Sequence, residues 1–101
     1  MEAVNPNDNK GFTEIMDQEI ILYGTTWCGD CKRAMRLMNN LKVSYRYINI
    51  DQDETAAAYV LEANKGQRSV PTIVFPDGSL LVEPSNSVLT QKLVESNLVS
   101  S

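Results

Sequence analysis

Two cysteines, the only ones among 101 residues, stand three positions apart in TTWCGDC, at Cys28 and Cys31. A pair at that spacing has three chemical uses: a structural disulfide, half of a thiolate metal site, or a reversible dithiol–disulfide couple. The first is weak, because a crosslink that closes so short a loop restricts an unfolded chain very little. The second is short of ligands. With no histidine and two cysteines, one molecule cannot assemble four Cys or His ligands, although two chains could share a zinc ion or an iron–sulfur cluster. The third asks only that one sulfur be ionised and reachable and that the other lie close enough to bond it.

That placement requires a helix beginning at the pair. EIILYG, from Glu19 to Gly24, is short, apolar and closed by glycine, and reads as a mostly buried strand. Ala34, Leu37, Met38 and Leu41 then recur at one-face helical spacing, leaving Arg33, Arg36, Asn39 and Asn40 outside. The cysteines fall at the strand-to-helix junction. Cys28 stands at or before the first helical residue, where unpaired amides and the positive end of the helix dipole favour a thiolate. Cys31 follows one turn later on the same side, about 5–6 Å away. These positions make Cys28 the expected exposed attacking sulfur and Cys31 the recessed resolving one. Trp27 is placed to shield one side, and Gly29 leaves room for a substrate backbone. Lys32 adds positive potential nearby, whereas Asp30 suits a helix start but repels a thiolate.

The remaining elements complete the frame. VSYRYINID alternates as a second strand; Asp51 followed by Glu54 fits a helix-start pattern, and ETAAAYVLEANKG makes a helix ending at Lys65 and Gly66. SVPTIVF, PDGS and SLLVE read as a strand, a turn and a returning strand, with Pro71 explicable as an edge-strand proline. Ser85 or Ser87 then caps a last helix carrying Leu89, Leu93, Val94 and Leu98. The order β-α-β-α-β-β-α predicts an α/β fold: one four-stranded mixed sheet with three helices on its two faces. Residues 1–11 are expected to be a flexible tail, and 12–101 one domain.

A net charge of −4 argues against nucleic-acid binding, and the absence of a long apolar stretch or a basic leader points to a cytoplasmic protein with no membrane contact.

YGTTWCGDC, with GQRSVPTIVFPDGS some 40 residues later, resembles the glutaredoxin branch of the thioredoxin superfamily. The likeness spans about residues 19 to 97 and implies the thioredoxin fold and thiol–disulfide oxidoreductase activity. It further implies a cis Val70–Pro71 bond opposite Cys28, with the Val70 backbone available to an extended thiol substrate. Gln67 and Arg68 align with the stretch bordering a low-molecular-weight thiol. Glutathione-using members usually carry a lysine before the first cysteine, a tyrosine inside the motif and a Gly-Gly-acid segment after the hairpin. This chain has Gly24 and Thr25, Asp30 and VEPSNS instead, which looks closer to mycoredoxins, relatives that reduce mycothiol mixed disulfides. The expectation is a monomer without tightly bound cofactor or metal. Glutathione or mycothiol would be its co-substrate, disulfide-containing proteins or small-thiol mixed disulfides its substrates, and a thiol or flavin reductase system its source of electrons.

Overall fold

The computed structural model describes residues 19–98; the tail expected over residues 1–11 lies outside them. Four strands and three helices follow in the order β1 Ile20–Gly24, α1 Gly29–Asn40, β2 Tyr45–Asn49, α2 Glu54–Ala63, β3 Thr72–Val74, β4 Leu80–Val82 and α3 Asn86–Glu95. They form one mixed sheet in the spatial order β2-β1-β3-β4. β1 runs parallel to β2, with Leu22 opposite Tyr47 and Gly24 opposite Asn49. β3 lies antiparallel to both β1 and β4. This is the predicted α/β architecture, with β1 central and its C-terminal end feeding α1.

Two apolar clusters hold the layers together. On one face Ile20 and Leu22 of β1, Ala34 and Met38 of α1, Ile73 and Phe75, and Leu89 and Leu93 of α3 form the larger cluster. On the other, Ile50 packs with Ala56 and Val60 of α2. Each fully buried Val, Leu, Ile, Met or Phe side chain here stabilises the fold by about 1.5–3 kcal/mol. The helical stripe predicted for α1 is therefore the stripe that meets the sheet.

Three local expectations are corrected. Helix α2 is capped by Asp53, whose carboxylate accepts the Ala56 amide at 3.0 Å, and not by Asp51. The Asn49 side chain accepts the Asp51 amide at 3.0 Å and its carbonyl accepts the Gln52 amide at 3.1 Å, so a turn intervenes and the helix starts later. At the other end α2 stops at Ala63; Lys65 and Gly66 lie beyond it with φ of 56° and 90°, and the Gly66 amide bonds the Leu61 carbonyl at 2.6 Å. The strand read from SVPTIVF shrinks to Thr72–Val74, and the Val70–Pro71 bond before it is cis. Of the two serines proposed as the last cap, Ser85 is the one used, accepting the Val88 amide at 3.1 Å. The hairpin turn closes with Gly78 at φ 90°, the left-handed region that glycine enters at no steric cost.

Candidate active site

Cys28 is the N-cap of α1. Its backbone is extended, and its sulfur accepts the Cys31 amide at 3.0 Å, the bond that a Ser or Asp oxygen makes at most helix starts. Negative charge developing on this sulfur meets an amide donor and the positive end of the α1 dipole. Its thiol also lies 3.8 Å from the Val70 carbonyl, across a sequence separation of 42 residues. Both contacts come from backbone, and together they leave Cys28 only 7% exposed, less than the open position expected from the sequence.

Cys31 is fully buried, on the same stripe of α1 as Ala34 and Met38. Burial pushes its thiol up to about 12, helped by a hydrogen bond to Cys28 and by the charges of Cys28 and Asp30, while a bond from the Thr25 backbone acts the other way. Both cysteines are free thiols. Room for Cys31 exists because β1 ends in glycine: a Cβ on Gly24 would stand 2.7 Å from the Cys31 sulfur. Gly29 is open, with nothing within 4 Å of the corresponding point.

The other residues singled out in the sequence surround this pair unevenly. Pro71 is buried and Val70 half-buried behind the cis bond. The segment is pinned by Thr72, whose hydroxyl donates to the Ser69 carbonyl at 2.8 Å and accepts from Asn64 Nδ2 at 3.1 Å. Trp27, expected to shield one side of the site, lies at the surface. Its indole is 67% exposed and reaches across the surface to Asp51, donating from Nε1 to Oδ2 at 2.9 Å. Arg68 holds the other oxygen of that carboxylate, and the two bonds, Arg68 first, lower the Asp51 pKa. Gln67 is exposed, as is Lys32. Asp30 is paired with Arg33 at 3.3 Å, and Arg33 also donates to Asn86 at 2.7 Å and to the Pro84 carbonyl at 3.1 Å.

The glutaredoxin family profile matches residues 20–81, which include every element from β1 into β4. The chain belongs to the glutaredoxin family. Glutaredoxins are thiol–disulfide oxidoreductases, the chemistry that a capping thiol and a buried neighbour one turn away can perform. Among its relatives is the Mycobacterium tuberculosis protein called "Putative glutaredoxin Rv3198A", 37% identical over 76 residues that cover 75% of this chain and 90% of that one. Mycoredoxin 1 of Corynebacterium glutamicum is 31% identical over 74 residues, covering 73% and 91%. A buckwheat glutaredoxin–glutathione complex shares the fold at a TM-score of 0.62 and 22% identity, over 89% of this chain and 91% of that one.

Within this glutaredoxin site, sequence reasoning missed Asp51, Gly24, Asn64 and Thr72. A fifth residue, Tyr47, brings a buried hydroxyl with no partner among the described residues; burial first, then the charge of Cys31, raises its pKa. Only Gly24 left a local signal, as the glycine that closes the first strand. Among the described residues no group of three or more His, Cys, Asp or Glu could hold a metal ion, and no helix is long and apolar enough to cross a membrane.

Proposed function

We propose that the protein reduces disulfides through Cys28, acting on disulfide-containing proteins and on mixed disulfides with a low-molecular-weight thiol such as glutathione or mycothiol. The Cys28 thiolate attacks one sulfur of the substrate disulfide; that bond breaks, the second sulfur leaves as a thiolate that takes a proton from water, and a mixed disulfide remains on Cys28. Either Cys31 attacks the Cys28 sulfur and releases the bound half as a thiolate, or a second small thiol attacks the sulfur of the bound half, leaving with it as a small disulfide and freeing the Cys28 thiolate. Through Cys31 the protein ends two electrons oxidised, as Cys28–Cys31, and a thiol or flavin reductase system returns those electrons.

The observation that carries this reading is the position of the Cys28 sulfur, between the Cys31 amide at 3.0 Å and the Val70 carbonyl at 3.8 Å. The Val70 amide has no partner among the described residues, so an extended substrate can add its backbone beside residue 70 in the manner of an extra strand. Pro71 fixes that segment, and Trp27, Gln67 and Arg68 border the space a small thiol would fill. The protein works as a cytoplasmic monomer in this reading.

The test is a pair of variants assayed on a small-thiol mixed disulfide. Cys28→Ser abolishes turnover of every disulfide; full turnover by that variant ends the proposal. Cys31→Ser separates the two routes, since retained activity marks resolution by a second thiol and lost activity marks resolution by Cys31.

A further inference from the structure

Both carboxylate oxygens of Asp51 are engaged, Oδ2 by the Trp27 indole and Oδ1 by the Arg68 guanidinium. These partners come from the two segments that meet at the reactive sulfur: Trp27 immediately precedes Cys28, and Arg68 lies two residues before Val70, whose carbonyl is 3.8 Å from the Cys28 sulfur. A single carboxylate thus ties the cysteine loop to the proline loop and occupies the guanidinium on that side. A second guanidinium is likewise engaged, since Arg33 is taken up by Asp30, Asn86 and the Pro84 carbonyl. Thiols that carry a carboxylate and thiols that carry none would meet this edge differently.

We infer that Asp51 is a specificity-determining residue: by holding Arg68 it withholds a guanidinium from carboxylate-bearing thiols and biases the site toward uncharged ones. The inference rests on the proposed disulfide exchange at Cys28 and names the residue that sets its charge preference. Asp51→Asn isolates the effect well. The amide oxygen still accepts the Trp27 N–H, while the charge that holds Arg68 is gone. Lys32, exposed on α1, is present in every variant and cancels from the comparison.

The experiment uses the full chain carrying Cys31→Ser, so that the first exchange product persists and is counted by mass. Reduced protein is mixed with 3,3′-dithiodipropionate, which is dianionic, or with 2-hydroxyethyl disulfide, which is neutral. In each case Cys28 replaces one half of the probe, the other half leaves as a thiolate, and the disulfide count is unchanged. The readout is the ratio of the dianion rate to the neutral rate. A guanidinium released within several ångströms of a carboxylate should raise that ratio roughly threefold to tenfold in Asp51→Asn at low salt. Adding Arg68→Gln to Asp51→Asn should remove the gain.

An unchanged ratio in Asp51→Asn overturns the inference. A gain that survives in the double variant also overturns it, since Asp51 would then act by direct repulsion and not through Arg68. If neither probe modifies Cys28 in any variant while circular dichroism shows the fold intact, disulfide exchange itself fails and the inference goes with it. That pattern is distinct from an unchanged ratio.

Discussion

Replacing Gly24 with alanine tests how closely strand β1 and the resolving sulfur are fitted. Gly24 has no left-handed φ, so alanine meets no backbone penalty there and its effect is steric. Its Cβ would stand 2.7 Å from Cys31 Sγ, 3.1 Å from Leu22 Cδ2 and 3.2 Å from Cys31 Cβ. Relief to an ordinary carbon contact of about 3.5 Å needs a shift of roughly 0.8 Å at the sulfur. Cys31 cannot swing aside freely, because it is buried within α1 and its amide is tied to Cys28, and Leu22 is buried as well. Overpacking of this kind costs about 1–3 kcal/mol. The stiffer unfolded chain returns about 0.4–1 kcal/mol. The net expectation is a loss of about 1–2 kcal/mol, and a urea midpoint lower by about 1 M for the reduced protein. Gly29→Ala is the internal control at the same site: with open space around it and a position in the first turn of α1, it should be neutral or slightly stabilising. Equal midpoints for Gly24→Ala and the parent protein, at an unchanged m-value, would refute the packing argument.

Three further outcomes are expected. Asp53→Ala should cost about 0.5–2 kcal/mol in chemical denaturation by removing the α2 cap, whereas Asp51→Ala should leave that cap intact. The raised Cys31 pKa stabilises the reduced protein fully below the unfolded thiol value, near pH 8.5–9, and that contribution is lost as pH rises toward about 12; the slope of stability over this window should be shallower in Cys31→Ala, with the raised Tyr47 pKa supplying part of what remains. Tyr47→Phe should leave thermal stability unchanged or raise it by up to about 1 kcal/mol, since it removes a buried hydroxyl without a partner among the described residues, and a melting point several degrees lower would show that the hydroxyl is bonded.

The parts of the site that were legible in the sequence are those whose signal is local. Gly24 ends a run of apolar residues, and Ala34, Leu37, Met38 and Leu41 mark one helical face, so Cys28 and Cys31 fall at a junction that periodicity alone locates. The cis bond at Pro71 was legible only by resemblance, because a proline before a strand has a simpler explanation. Asp51 was misread for a physical reason. Its partners lie 24 and 17 residues away, on loops brought together by the sheet, while its local neighbourhood imitates a helix start. The Trp27 contact was hidden in the same way: nothing beside Trp27 in the sequence indicates an acceptor 24 positions on. Thr72 and Asn64 act across eight residues through a hydroxyl and an amide, groups whose pairing no hydrophobic pattern reports.

The different environments of the two thiols follow from where the helix begins. Cys28 precedes the first helical residue, so its sulfur caps the helix; Cys31 occupies the stripe that the helix must bury, with Ala34 and Met38 three and seven positions on. The same periodicity that packs α1 on the sheet therefore drives Cys31 fully out of water and leaves Cys28, 7% exposed, at the helix end. Burial raises the Cys31 pKa and so holds its thiol protonated near neutral pH. In the proposed exchange Cys31 acts after a mixed disulfide has formed beside it on Cys28, which supplies proximity in place of a standing thiolate. On the proposed mechanism the two serine variants are therefore expected not to be mirror images: Cys28→Ser should leave a thiol unable to begin the exchange, and Cys31→Ser one that begins it and waits for a second thiol to finish.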